Sequence, residues 1–145
     1  MNAQVVSTKE SLGEIIDLLR ENKLPFQDIQ LVNSLYVGYH DEEGRLVGSA
    51  GLEFYLPYAL IRSVAVRETQ RGKSIGTRIV VDMLERAREK GVEEVYLLTE
   101  TARDFFAARG FSNVARERVP DKVKASSEFS SVCPVAAAVM VYSMI

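Results

Sequence analysis

Gly72-Lys73-Ser74 is the tripeptide that closes a nucleotide-binding P-loop, and here it follows the apolar run "SVAV" and precedes an amphipathic stretch. A P-loop also needs a glycine separated from the Gly-Lys-Ser by four residues, so that its backbone can curl around a phosphate. That position is Arg67, and no later apolar run ends in an evident metal-binding aspartate. A G-x-G-x-x-G turn is absent too. Neither a nucleoside triphosphatase nor a dinucleotide fold is supported. What remains is "QRGKSIGT", a turn that offers the first amides of a helix, which have no intrahelical acceptor and sit at the positive end of the dipole. Gly72 and Gly76 allow a ligand close to the backbone, and Arg71, Lys73 and Arg78 add positive charge. Such a turn suits a pyrophosphate. A plain strand-to-helix turn with solvated basic residues is the other reading of the same letters.

The elements that must hold this turn can be read from periodicity. "VVSTKESLGEIIDLLRENKLP" is a short strand, then a helix with Ser7 and Glu10 at capping-box spacing, Leu12, Ile15, Ile16 and Leu19 at helical period, and Pro25 beyond its end. "FQDIQLVNS" predicts a weaker second helix. "LYVGYHDEEGRLVGSAGLEFY" reads as two strands around the turn Asp41-Glu42-Glu43-Gly44. "LPYA" breaks the run and "LIRSVAV" resumes it. The helix after the glycine turn buries Ile75, Ile79, Val80, Met83, Leu84 and Ala87, and stops at Lys90-Gly91. A strand "VEEVYLLT", a short helix "ARDFFAARG", a strand "FSNVAR", a polar segment and a closing strand "AAAVMVYSMI" follow. The order β-α-α-β-β-β-α-β-α-β-β predicts one α/β (α+β) domain over residues 1–145, a mixed sheet with helices on both faces.

The 145 residues, 47% apolar and 26% charged, suit a single globular core. A net charge of −2 gives no field for general nucleic-acid binding, so no nucleic-acid partner is expected. The longest late apolar run, "PVAAAVMVY", is far short of the ~20 residues that span a bilayer, so no membrane partner is expected either. The single cysteine, Cys133, cannot form an internal disulfide, and the N-terminus lacks a signal-like apolar run; a cytoplasmic location is the default. No metal is expected.

Read together, "SVAVRETQRGKSIGTRIVVDMLERAREKG", "VYLLT", "ARDFFAARGF" and the terminal strand resemble the GNAT superfamily of acyl-CoA-dependent N-acyltransferases across essentially the whole chain. Arg71, Gly72, Lys73, Ser74, Ile75 and Gly76 match the family's pyrophosphate signature, with Ser74 where a middle glycine is usual. Within the family, "SAGLE", "LIRSVAV", "LLTETARDFFAARGF" and "SSEFSSVCP" resemble most an arsenic-resistance-associated subgroup, related to enzymes acting on phosphinothricin-like amino acids. The resemblance implies a mostly antiparallel sheet and acetyl-CoA as acyl donor. It implies a small-molecule amine as acceptor, and the subgroup implies an amino acid or a phosphinothricin-like or arsenical toxin, with resistance as the role. A homodimer is one assembly open to such a domain, and an acyl-CoA-binding module without turnover, or acetylation of a protein amine, are the competing functions.

The resemblance also implies that "SVAV" opens away from the next strand, so that Val64, Ala65 and Val66 border the acyl donor with Thr77 and Phe106. Val66 N–H would then face the thioester carbonyl. An acceptor amine with a pKa near ~10.4 is mostly protonated at neutral pH and needs a base. Glu53, at the end of "GSAGLE", is the first candidate and Glu100, after "VYLLT", the second; each could equally be a solvated or paired strand residue. Arg62 is costly to bury alone and either pairs with Glu53 or binds an acidic acceptor. Ser126, Ser127, Glu128 and Phe129 are candidates for the acceptor pocket, with an ordinary surface loop as the alternative. Phe106 stands where many members place a thiolate-protonating tyrosine; Tyr55, Tyr58 or water could replace it. Cys133 invites an acetyl-cysteine route, but the only histidine, His40, lies beside the hairpin turn, where a solvated side chain is expected.

Overall fold

The computed structural model describes residues 1–129 and 137–144. Seven strands form one sheet in the order β1-β2-β3-β4-β5-β7-β6. They are β1 (Asn2–Val5), β2 (Ser34–His40), β3 (Leu46–Tyr55), β4 (Tyr58–Val66), β5 (Glu94–Thr99), β6 (Ser112–Asn113) and β7 (Ala138–Ser143). All neighbours are antiparallel except β4 and β5. The expected α/β domain with a mixed, mostly antiparallel sheet is what the chain forms.

Helix α1 (Lys9–Glu21) packs Ile15, Leu18 and Leu19 with Val6, Tyr36, Leu46 and Ala65 on one face. Helix α2 (Ile75–Glu89) lays Ile79, Val80, Met83, Leu84 and Ala87 on the other face, against Val37, Ala50, Leu52 and Ile61. Short helices α3 (Arg103–Ala107) and α4 (Asp121–Lys124) complete the two layers, Val123 of α4 packing on Leu60 and Tyr96. The turn glycines fall where left-handed backbone is needed, Gly44 in the hairpin at φ 80° and Gly91 after α2 at φ 82°.

Three local expectations need correction. The cap of α1 is Thr8 with Ser11 in reciprocal bonds, one residue later than Ser7 and Glu10, because Thr8 is the residue with extended backbone (φ −126°, ψ 161°). The stretch "FQDIQLVNS" forms turns instead of a helix: Lys23 and Asn33 bracket it at positive φ, and Leu24, Phe26 and Ile29 pack onto the α1 layer individually. The strand expected in "FSNVAR" shrinks to Ser112–Asn113, paired with β7.

Candidate active site

β4 is kinked by a bulge. Ala65 pairs with Ser49 and Arg62 with Gly51, so three steps on β4 meet two on β3. Ser63, within the bulge, has φ 59° and its carbonyl accepts the Ser49 hydroxyl at 2.9 Å. On its other side β4 pairs with β5 only through Tyr58, Ala59 and Leu60, while Leu97 to Thr99 of β5 pair with β7. The strands therefore part beyond Leu60, as expected. Arg67 N–H donates to Val47 O at 2.8 Å across β3, and the alternation of a strand turns Val66 N–H the opposite way, toward the opening.

The opening continues into a groove of about 510 Å³ running to the first turn of α2. Val64, Ala65, Val66, Arg71, Gly72, Ser74, Ile75, Gly76, Thr77 and Phe106 all border it. Lys73 does not; its ammonium turns to Gln70 Oε1 at 3.1 Å. The six consecutive N–H groups from Gly72 to Thr77 find no backbone acceptor among the described residues, the first helical bond being Arg78 N–H to Ser74 O at 3.1 Å. Gly72 and Ser74 both hold positive φ (86° and 61°), which bends the amides into one concave run. Ser74 makes no side-chain cap bond, so its hydroxyl is free to act as a further donor. This cradle fits a pyrophosphate: amide donors, the dipole of a 15-residue helix and the Arg71 guanidinium converge on it.

Five groove residues were not named in the sequence reading, Asn22, Gln70, Ala102, Phe105 and Arg109, and three of them shape it most. Arg109 donates to Thr77 Oγ1 through Nε at 3.0 Å and lies 3.9 Å over the Phe105 ring, tying the turn after α3 to α2. Phe105 closes the groove beside Gly76, where an added Cβ would stand 3.2 Å from its ring. Asn22, at the end of α1, accepts from Arg71. A cation four residues after an aromatic, in "FFAAR", was the available signal, for Arg109.

A second polar centre lies on the α1 face of the sheet. Arg62, with a side chain 0% exposed, donates in parallel to Asp28 at 2.5 and 2.6 Å and to Glu53 Oε2 at 3.0 Å, and its Nε lies 3.6 Å from Glu128 Oε1. The Tyr55 hydroxyl donates to Glu53 Oε1 at 2.8 Å and also bonds Ser126. Ser127 donates to Asp28. Burial alone would raise the Asp28 pKa, but the bonds from Arg62 and Ser127 and the Arg62 charge outweigh it and hold the carboxyl below the usual 3.8. Burial likewise opposes the Arg62 charge, and the Asp28 bond and the surrounding charges reverse that, moving its pKa upward. Of the two readings of Arg62, pairing with Glu53 is the one the geometry displays, with Asp28 as an additional, tighter partner.

Glu53 thus belongs to a cluster, bordering a pocket of about 300 Å³ with Asp28, Tyr55 and Ser127. Glu100 is exposed just beyond β5 and makes no contact with that cluster. Ser126 and Phe129 are buried, Phe129 against Leu60 and Val123, so they support the pocket wall from behind. Phe106 is buried with its ring edge-on to Phe105 and Phe111 at 5.1 and 5.5 Å. Tyr58 packs edge-on against Tyr96 at 6.2 Å. His40 is half-buried, with Nδ1 enclosed and unbonded among the described residues, which corrects the expectation of a solvated ring. Cys133 lies outside the described residues. Among the described residues no three His, Cys, Asp or Glu are arranged to hold a metal ion, and no helix is long and apolar enough to cross a membrane.

Comparison with known proteins agrees with this geometry. The model of the acetyltransferase (GNAT) family matches residues 10–111. An N-acetyltransferase of Chlorobaculum tepidum is 38% identical over 85 residues, 57% of this chain and 54% of that protein. The amino-acid acetyltransferase of Aeromonas salmonicida is 27% identical over 122 residues, 79% of this chain and 28% of that protein. The chain therefore spans about half the length of the first relative and less of the second. A Mycobacterium tuberculosis protein solved in complex with CoA superposes with a TM-score of 0.75 at 23% identity, over 98% of this chain and 99% of that one.

Proposed function

Because the chain belongs to the GNAT family of acetyltransferases, we propose that it moves an acetyl group from acetyl-CoA to the amine of a small molecule by direct attack. The observation that carries the reading is the run of unpaired amides from Gly72 to Thr77 opening onto the gap between β4 and β5. The CoA bound in the tuberculosis neighbour supports the choice of ligand.

Arg71, Gly72, Ser74, Ile75, Gly76 and Thr77 would hold the pyrophosphate, and the backbone of Val64, Ala65 and Val66 the pantetheine arm. Bound there, acetyl-CoA supplies a thioester carbonyl activated for acyl transfer. Val66 N–H is aimed to bond that carbonyl oxygen as charge builds on it, a contribution of roughly 3–4 kcal/mol where such donors have been removed. Glu53 takes a proton from the acceptor ammonium, since both its oxygens keep a lone pair beyond the bonds from Tyr55 and Arg62. As the nitrogen–carbon bond forms and the carbon–sulfur bond breaks, the sulfur leaves as thiolate. Phe106 offers it no proton, which a group of pKa ~8.5 tolerates. Tyr55 is engaged with Glu53 and Tyr58 packs edge-on against Tyr96, leaving water as the proton source.

The finer subgroup reading, an arsenic-resistance-associated enzyme, rests on the resemblance carried by "SAGLE", "LIRSVAV", "LLTETARDFFAARGF" and "SSEFSSVCP". Its support is that Ser126, Ser127, Glu128 and Phe129 build the wall around Tyr55 and Arg62. Phe106 favours one competing reading, an acyl-CoA-binding module without turnover. Release of free CoA thiol in the presence of an amine panel that includes phosphinothricin-like amino acids decides between them. Release at the hydrolysis background with every amine defeats the transferase reading, and an acetyl-CoA-free melting shift with ATP-magnesium defeats the site.

A further inference from the structure

Thr77, the third residue of α2, borders the donor groove, and its N–H is among those left without a backbone acceptor. Its hydroxyl is engaged from the α3 side. Arg109 donates to Thr77 Oγ1 through Nε at 3.0 Å and through Nη2 at 2.5 Å. A threonine oxygen has two lone pairs and one proton. The two N–H groups take both lone pairs, so this hydroxyl can act only as a donor. A helical threonine often returns its proton to the carbonyl four residues back. That carbonyl belongs to Lys73, and neither it nor any other described residue accepts from Thr77.

The guanidinium that imposes this state is itself fixed. Arg109 Nη1 donates to Phe105 O at 2.7 Å, and the guanidinium carbon sits 3.9 Å from the centre of the Phe105 ring. The other neighbour of that ring is Gly76, the residue before Thr77, where an added Cβ would stand 3.2 Å away. Nε, Nη1 and Nη2 of Arg109 are thus all committed to protein oxygens. Arg71, the other arginine that borders the groove, spends Nη2 on Asn22. The two cations therefore have different tasks: Arg71 keeps its other N–H groups for a ligand, whereas Arg109 works through Thr77.

We infer that Arg109 is a positioning residue for the acyl donor, reserving the Thr77 hydroxyl, as a donor only, for an oxyanion of the diphosphate. The inference rests on the acetyl-CoA reading of the groove. Thr77 then presents an N–H and an O–H side by side, two donors with no acceptor between them. A non-bridging phosphate oxygen carries charge and lone pairs and no proton, which matches that pair. The pantetheine arm matches it less well, because its amides and hydroxyl donate as well as accept. The Arg109 charge, passed on through the hydroxyl, strengthens the bond to the oxyanion. Phe105, held between Arg109 and Gly76, covers the same turn of α2.

The test is calorimetric titration of CoA into the full chain and four variants. Thr77→Val should raise the Kd for CoA about tenfold or more, the effect of losing a bond to a charged group, and Thr77→Ser should restore it to within a few fold. Arg109→Met should raise the Kd severalfold, yet add little to Thr77→Val in the double variant, because it acts through that hydroxyl. A kinetic arm compares acetyl-CoA with S-acetylpantetheine, which lacks the phosphates, using the amine of the panel that releases thiol fastest. Thr77→Val should raise the KM for acetyl-CoA by a similar factor and move the KM for S-acetylpantetheine by no more than about twofold. The calorimetric pattern without turnover of any amine removes the transferase reading and leaves the positioning role. A CoA Kd unmoved by Thr77→Val, losses that simply add in the double variant, or equal losses with both acyl donors overturn the positioning role and leave the transferase.

Discussion

Arg62 grips Asp28 through two parallel bonds of 2.5 and 2.6 Å, joining β4 to the turn that follows α1 across 34 positions of sequence. Bidentate pairs of this kind are geometrically selective, and removing Asp28 takes away two charge-assisted bonds while Glu53 and Glu128 still face the Arg62 charge. Asp28→Ala should therefore destabilise the fold by about 1.5–3 kcal/mol, read as a fall in the urea midpoint. Because the donor groove is built from other elements, the melting shift given by acetyl-CoA should persist in the variant. Loss of that shift would show that the two centres are coupled.

The same pair sets an acid dependence. Asp28 is held below its ordinary 3.8, so its contribution is complete above that value and disappears as pH falls through the lower, folded pKa. The stability gap between the wild type and Asp28→Asn should be constant from neutral pH down to about pH 4 and shrink only below it. A gap that closes above pH 5 would place the carboxyl in a different environment.

Much of this was legible along the chain. The glycine turn and the helix it opens follow from local signals, apolar period, glycines and a basic rim, whereas the parting of β4 from β5 was implied by the family resemblance alone. Glu53 and Arg62 were also singled out as candidate partners, because a charge inside an apolar run needs a counter-charge. Asp28 was not, since it sits in a stretch whose apolar residues suggested a helix, and an ion pair spanning 34 positions leaves no periodic trace. The tie from Arg109 to Thr77 across 32 positions is hidden for the same reason. The one-residue slip of the α1 cap, from Ser7 to Thr8, reflects two adjacent hydroxyl residues with equal capping chemistry and different backbone angles.

Ser74 holds a left-handed conformation, φ 61° and ψ 19°, that costs a residue with a Cβ about 1–2 kcal/mol. Ser74→Gly relieves it at the expense of roughly 0.5–1 kcal/mol of extra chain entropy, so the melting temperature should stay level or rise by a degree or two and acetyl-CoA binding should survive. Ser74→Val, whose branched side chain tolerates positive φ poorly, should lower the melting temperature and weaken acetyl-CoA.

Gly76 stands under the Phe105 ring, with space for no more than a tight methyl. Gly76→Asp puts a carboxylate among the amides that face the pyrophosphate. Saturating acetyl-CoA at about 100 times its Kd adds ~2.7 kcal/mol to the wild type, and this gain should vanish in the variant. Retention of the full gain would move the phosphate site elsewhere.

Direct transfer leaves Cys133 without a chemical role. Cys133→Ala should keep kcat within about twofold, and initial-rate plots against acetyl-CoA at several amine concentrations should intersect. Parallel lines, with loss of turnover in the variant, would establish a covalent acetyl-cysteine.

The bulge at Ser63 also acts as a parity switch. Before it, Leu60 and Arg62 point to the α1 layer while Ala59 and Ile61 point to the α2 layer; after it, Ala65 joins the α1 layer and Val64 and Val66 join the α2 layer. Even and odd positions exchange sides within one strand. A strand of strict alternation would carry Val64 and Val66 on the same side as Arg62. One inserted residue thus assigns the two ends of a single strand to opposite layers, which is how nine consecutive residues can serve two chemically unlike neighbourhoods.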